Sequence, residues 1–464
     1  MTYREALDWI YAFSDTERTG AFVHDREDNL RRERALLEAL GNPHLAYQVT
    51  HVAGTKGKGS TAAMLAAILC ASGLRVGLYT QPDLHTFRER MRVGERLISE
   101  AEVAELVPEL RAALEVVGES VGTFITYEVA TALAFLYFQR AGVEHAVIEV
   151  GLGGRLDATN VVSPSVAIIT SISYDHMRVL GNTLAAIAGE KAGIIKPGVP
   201  TVSSRQVSEA RDVIASVCAQ RNSRLITVGL AGTSATYTYR AGAFDNTTQE
   251  FDVKGPDEEY QGLSLGLLGE HQLENATTAL AAAEVLREVG VAVDERAIRE
   301  GLRQVRWPGR LQVIGERPLL VVDGAHNADS FARLFAALER HFHGTSYDRL
   351  ILVVGIMADK DLVGMAREIA QARITRVVAT AAANERAMSP ERIARELAMV
   401  APLLPVIATP TIADALVLAR AEAGAHDGIC VTGSLYLVAE ALRWFTRFGG
   451  AAVMHLPPID GVDH

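Results

Sequence analysis

The chain has 464 residues, more than one hydrophobic core usually supports, so two domains or three are expected. Apolar residues make up 49% of it, ample for burial, and the net charge of −11 comes from acidic and basic residues interspersed without long blocks. That balance argues against a nucleic-acid or membrane-surface binder, so an anionic ligand must be met by local positive sites. Met1–Asp8 carries charges where a signal peptide would be apolar, and no apolar run reaches membrane-spanning length, which points to a cytoplasmic protein. Cys70, Cys218 and Cys430 stand singly among apolar neighbours without CxxC spacing, and read as small core residues.

After an N-terminal helical stretch, short β-branched runs alternate with amphipathic or Ala-rich helical stretches. This is the pattern of a parallel sheet with helices on both faces, an α/β fold. Predicted strands are 47–53, 75–79, 146–150, 166–172 and 200–203. In such sheets the functional loops leave the carboxyl ends of the strands.

The first strand runs into Gly54-Thr55-Lys56-Gly57-Lys58-Gly59-Ser60 and then an Ala/Leu-rich helix. Glycines let backbone N–H groups converge on an anion, the helix start aims its positive end at the same place, and Lys58 adds a point charge. The spacing is shorter than GxxxxGK[ST], with Gly59 at the place of the metal-binding hydroxyl, which leaves Ser60 and Thr61 for that task. The bland alternative is a glycine turn that only closes a strand-turn-helix unit, a role to which a lysine and hydroxyls add nothing.

Two further strand ends carry polar groups. Glu149 closes an apolar run and precedes Gly151-Leu152-Gly153-Gly154-Arg155; a carboxylate there needs Mg²⁺ or an ion pair, with Arg155 the candidate partner. Ser173-Tyr174-Asp175-His176 follows the next strand, and His176 is either a metal ligand or a structural histidine. Glu190-Lys191-Ala192-Gly193-Ile194-Ile195-Lys196 places two lysines among apolar residues. Lys191 pairs with Glu190 or another acid, or its amine takes up carbon dioxide to become a metal-binding carbamate.

Between about 229 and 266 Tyr/Thr alternation with Gly, Asp and Asn turns predicts antiparallel hairpins inserted in or edging the first domain, and helices resume near 270. Arg306-Trp307-Pro308-Gly309-Arg310 breaks the helical pattern, which places a first domain at 1–305, a hinge at 306–310 and a second, smaller Rossmann-like α/β domain at 311–464. Strands are predicted there near 319–322, 349–355, 374–379, 404–407 and 428–432. Asp323-Gly324-Ala325-His326-Asn327 sits at one strand end: Asp323 can accept from a ribose or cap the next helix, and His326 can stack on or bond to a base or acyl group. Arg310 in the hinge can swing onto a γ-phosphate as a cationic clamp.

With the phosphate loop, GLGGRLDATN, the Asp175-His176 pair, EKAGIIK, the PGR hinge and DGAHN in this order, the chain resembles the folylpolyglutamate synthase and dihydrofolate synthase family, within the Mur-ligase-like group. Leu40-Gly41-Asn42-Pro43, His271-Gln272 with Asn275, Asp359-Lys360-Asp361 and Thr432-Gly433-Ser434 extend the resemblance over most of the chain. It implies a monomeric ATP-dependent amide ligase that phosphorylates a carboxylate and lets the amine of L-glutamate attack the acyl phosphate, the acceptor being dihydropteroate or a reduced folate. It implies ATP on Gly54, Thr55, Gly57, Lys58, Gly59, Ser60 and Thr61, and two Mg²⁺ on Ser60, Glu149, His176 and carbamylated Lys191. Arg310, Asp323 and His326 complete the nucleotide site, Asn275 lies near adenine, and Tyr127 and Asp157 line a pterin pocket.

Two positions depart from the family pattern. Lys56 stands where Asn is frequent and adds a charge beside the phosphates. Gln81-Pro82-Asp83-Leu84 replaces Ser-Pro-His-Leu, so either Gln81 or Asp83 takes over from the serine near magnesium. A related Mur-type amino-acid ligase and a non-catalytic nucleotide-binding protein remain as alternatives.

Overall fold

The structure, a computed structural model, describes residues 1–14, 28–118 and 121–448. Two sheets divide it. The first is built from β1 (Gln48–Ala53), β2 (Val76–Tyr79), β3 (Met91–Val93), β4 (Arg96–Leu97), β5 (His145–Glu149), β6 (Val166–Ile169), β7 (Thr201–Ser203), β8 (Leu225–Leu230), β9 (Tyr237–Phe244), β10 (Gln249–Lys254) and β11 (Glu259–Leu265). Its order is β11-β10-β9-β8-β7-β6-β1-β5-β2-β3-β4. Neighbours from β9 through β2 are parallel, while β9-β10-β11 and β2-β3-β4 are antiparallel edges.

β1 is central because five of its six residues are buried, as expected of a strand covered on both faces. On one face lies the helix Lys58–Ala71, apolar nearly all round, itself covered by the helices Glu270–Glu288 and Glu295–Gln304. Gly301 permits the close approach: a Cβ there would stand 2.5 Å from the Ile68 backbone. On the other face Asn29–Ala39, Glu100–Val117 and Thr126–Arg140 pack together. The buried Arg32 guanidinium, 2.9 Å from Glu128, links two of these helices. The antiparallel edge is fastened to Glu270–Glu288 by the Tyr237 and Tyr260 hydroxyls, which both donate to Glu284.

The second sheet has β12 (Gln312–Glu316), β13 (Leu319–Val322), β14 (Arg349–Val354), β15 (Arg376–Ala379), β16 (Val406–Ala408) and β17 (Asp427–Thr432), in the order β12-β13-β17-β14-β15-β16. All neighbours are parallel except β12-β13. Helices cover both faces, and the four interior strands β13, β17, β14 and β15 are mostly apolar.

The predicted alternation matches this architecture, with additions. β8 joins the hairpins to the parallel sheet, so they edge it rather than interrupt it. β6 stops at Ile169, short of the predicted 172, because the next residues turn to hold the phosphate loop: Thr55 and Lys56 N–H both donate to the Ser171 carbonyl. The β3-β4 hairpin and β12 were not predicted, being short and rich in charge or glycine. Cys218 and Cys430 are buried, whereas Cys70 is half-buried. Among the described residues no helix is long and apolar enough to cross a membrane.

Candidate active site

Strand order decides what meets. β6, β1, β5 and β2 are consecutive neighbours, so their carboxyl ends deliver Thr170–His176, Gly54–Ser60, Glu149 and Gln81 to one place. From the second sheet, β13 and β14 deliver Asp323–His326 and Lys360, and the connection between the sheets adds Arg310. These groups line one cavity of about 440 Å³, together with Tyr127, Asp157, Lys191, His271, Gln272 and Asn275.

Within the phosphate loop, Gly57 is left-handed at φ +89° and starts the helix at Lys58. A Cβ on Gly57 would stand 2.3 Å from Asn275 Oδ1, and one on Gly54 would stand 1.8 Å from Thr170 Oγ1. A Gly57→Ala variant is therefore expected to lose about 1–2 kcal/mol of stability from the left-handed backbone alone. It should also displace Asn275, whose amide donates to Gln272 Oε1 at 2.9 Å. Thermal melting with and without nucleotide checks this; an unchanged midpoint and affinity would refute it.

Lys58 Nζ lies 3.7 Å from Glu149 Oε1, so the loop cation and the strand-end acid face each other. Arg155, the partner considered for Glu149, instead meets Glu190 at 2.9 Å. Ser60 is buried at the cavity wall, and Thr61 lies one residue deeper, outside the lining, with a buried hydroxyl that has no hydrogen-bond partner. Lys191 does not pair with Glu190: its ammonium donates to the Gly54 carbonyl at 2.8 Å. Burial, then the charges of Lys58 and Lys56, draws the Lys191 amine down to about 7. Desolvation by the surrounding cleft, with the side chain still 49% exposed, lowers the His176 imidazole to about 4, which favours the neutral form that can bind a cation.

Gln81 and Asp83 part ways. The Gln81 backbone N–H donates to Glu149 Oε2 at 3.3 Å, and its side-chain amide donates to the Tyr127 hydroxyl at 3.1 Å. Asp83 is engaged by Arg90 at 2.5 Å and is not in the lining. The Tyr127 hydroxyl donates to Asp157 Oδ1 at 2.8 Å, and the same carboxylate accepts from Leu152 N–H and from Thr159. Asp157 thus staples the GLGGRLDATN loop against the helix that carries Tyr127.

On the far wall Asp323 caps no helix; Asn327 does that, accepting from Ser330 N–H. Asp323 takes Leu311 N–H and Ala325 N–H, each at 2.8 Å, and burial raises its carboxyl. The Arg310 guanidinium lies over Gly324, where a Cβ would stand 2.4 Å from Nη1, and its one described hydrogen bond is a 3.5 Å contact with the Gly309 carbonyl. His326 is turned by two partners: Nδ1 donates to the Gly324 carbonyl at 2.9 Å, so Nε2, 3.2 Å from Lys56 Nζ, accepts. The Lys56 charge and then burial lower its imidazole to about 4. Lys56, the position at variance with the family pattern, bonds to Asp175 after the neighbouring strand at 3.0 Å and reaches across the cleft to His326. Nothing local in the sequence signalled that Asp175 would join Lys56, Lys360 and His326.

Residues 52–283 match the Mur ligase middle domain, and residues 309–435 match the Mur ligase glutamate ligase domain. The folylpolyglutamate synthase of Lacticaseibacillus casei is 36% identical over 80% of this chain and 84% of its own length. The chain belongs to the folylpolyglutamate synthase and dihydrofolate synthase family. The dihydrofolate synthase/folylpolyglutamate synthase of Bacillus subtilis is 35% identical over 79% of this ligase and 82% of its own length. Among solved structures, the Mycobacterium tuberculosis folylpolyglutamate synthase complexed with ADP superposes with a TM-score of 0.85 at 30% identity, covering 96% of this chain and 98% of that one. The Escherichia coli FolC in complex with DHPP and ADP gives 0.83 at 28% identity, with the same coverage. Family membership makes the chain an ATP-dependent, amide-forming ligase that acts on folate-pathway substrates.

Proposed function

We propose that this ligase joins L-glutamate both to dihydropteroate and to reduced folates through an acyl phosphate made from ATP. One observation carries the reading: the phosphate loop with Lys58 and, from the connection between the two sheets, Arg310 line the same cavity. A substrate carboxylate oxygen attacks the γ-phosphorus and ADP leaves. The neutral glutamate amine then attacks the acyl carbon, phosphate departs with the bonding pair, and the nitrogen's surplus proton leaves with the phosphate. Little proton transfer is required before the acyl phosphate exists, so the residues act by charge and placement.

In this reading the N–H groups of Gly54, Gly57 and Gly59 and the Lys58 ammonium cradle the phosphates, while Thr55, its N–H given to the Ser171 carbonyl, fixes the loop, with Ser60 at the wall and Thr61 supporting it from behind. Arg310 meets the γ-phosphate, Asp323 and Asn275 flank the nucleoside, and His326 orders the far wall. Tyr127 and Asp157 close the folate end. Both halves of the cleft come from one chain, so a monomer carries a whole site.

The donor set fits Mg²⁺ at one position: Glu149 offers a buried carboxylate, and Ser60, also buried, lines the same cavity with its hydroxyl as a further donor. Among the described residues no group of three His, Cys, Asp or Glu gathers to hold a metal ion. A second position on His176 and Lys191 is therefore complete only if Lys191 is carbamylated, because the free ammonium repels a cation. Mg²⁺ would neutralise phosphate charge there. The cleft, joined at 306–310, keeps water from the acyl phosphate.

The test is a substrate panel with product masses. With ATP, Mg²⁺ and L-glutamate, dihydropteroate should gain one glutamate and tetrahydrofolate should gain several in series. ADP release stimulated by neither would sink the assignment, and stimulation by one alone would narrow it to that substrate.

A further inference from the structure

Lys56 sits in the phosphate loop, yet its ammonium is occupied by protein. The loop is pinned to the segment after β6 by the two hydrogen bonds to the Ser171 carbonyl, so the Lys56 backbone and Asp175 are held in one frame. From that frame the side chain runs outward to Asp175 Oδ2 at 3.0 Å and to His326 Nε2 at 3.2 Å. His326 belongs to the second sheet's unit, as does Lys360, which stands 3.8 Å from Asp175. His176 stands 3.8 Å from Asp175 and His326 stands 3.9 Å away. Asp175, largely buried, is thus the anionic centre of a knot whose members come from both units, and Lys56 is its closest cation.

The geometry is selective. His326 Nδ1 is committed to the Gly324 carbonyl, so Nε2 offers only a lone pair. A lysine can donate to that lone pair and to a carboxylate at once. A neutral amide can bridge them too, but leaves Asp175 with Lys360 at 3.8 Å as its nearest ammonium, beyond hydrogen-bond reach.

We propose that Lys56 is a positioning residue that holds the two halves of the nucleotide cleft in register before nucleotide arrives. This rests on reading the cavity as a nucleotide cleft. The ammonium supplies a cross-unit tie, so a nucleotide meets a cleft already assembled and spends less of its binding free energy on closing it.

The test uses the full chain with Lys56→Asn and Lys56→Arg, read by small-angle scattering without nucleotide and with ADP and Mg²⁺, and by calorimetric titration of ADP. The unaltered ligase should be equally compact in both states. Lys56→Asn should expand without nucleotide, return to the compact value with it, and bind ADP about tenfold more weakly as the competent fraction falls. Its KM for ATP should rise while kcat at saturation stays within about twofold. Lys56→Arg should restore compactness, and circular dichroism melts of both variants show whether they are folded. A Lys56→Asn protein that stays compact without nucleotide overturns the proposal; if it then also fails to bind ADP, Lys56 is a direct phosphate ligand instead. Unaltered protein that expands without nucleotide overturns it as well. Scattering and ADP titration need no turnover, so a compact, ADP-binding protein inert toward every folate would defeat the substrate assignment and leave this proposal standing.

Discussion

Arg310→Ala should lower kcat by about a thousandfold while leaving the affinity for a non-hydrolysable ATP analogue within about threefold. The side chain sits in the connection between the two sheets, and its one described hydrogen bond is the 3.5 Å contact with Gly309. The guanidinium gives up no short described hydrogen bond to meet a phosphate, although its charge is also felt by the buried Asp323 carboxylate. It also lies in a cavity where its own charge is felt: burial, Arg333 and Arg310 together depress the His271 imidazole to about 3. Charge develops on the phosphoryl group as the substrate carboxylate attacks, so the contact strengthens in the transition state and its loss falls on kcat. Arg310→Lys keeps the charge but not the planar fork, and should recover only part of the rate. Steady-state ADP release over ATP concentration measures both constants. A kcat within threefold of the unaltered ligase would remove Arg310 from the reacting end of the site.

Lys191→Ala should cost at least about a hundredfold in turnover, the scale of a lost electrostatic contact at the phosphates. The amine is buried and drawn to about 7 by burial and by Lys58, so near neutrality much of it is unprotonated and nucleophilic. That form combines with carbon dioxide, forming the N–C bond and releasing one proton, and the product is an anion where a cation stood. Because the proton leaves, carbamylation is favoured as pH rises from about 6 to about 8, and activity in bicarbonate should rise over the same interval. Intact-mass measurement should find one added carbon dioxide that acid removes, and a small carboxylate such as acetate should restore part of the Lys191→Ala activity. Near-normal turnover without Lys191, or no added mass at any pH, would leave this lysine with its bond to Gly54 alone.

Much of the site was legible because its parts are local. Gly54–Ser60, Glu149, Asp175-His176 and Asp323–His326 each follow an apolar strand run, and a polar group at such a place stands out in one dimension. Lys191 was legible as an oddity but not in its contact: the carbonyl it meets lies at Gly54, reached only when two distant segments fold together. Asp157 lines the cavity, but its contacts were not legible: it also spends its carboxylate on Tyr127, Leu152 and Thr159, because the loop that carries it folds back on the helix Thr126–Arg140.

Local pattern alone determined that this chain is two α/β units with a glycine phosphate loop, since side-chain periodicity and turn chemistry are properties of neighbours in sequence. Tertiary structure alone decided that β6, β1, β5 and β2 stand side by side, that Arg155 takes Glu190 while Lys58 faces Glu149, and that Lys56 meets Asp175 and crosses to His326. The reason is physical: the choice of ion-pair partner depends on which strand ends become neighbours, and that order is set by crossovers and burial over hundreds of residues.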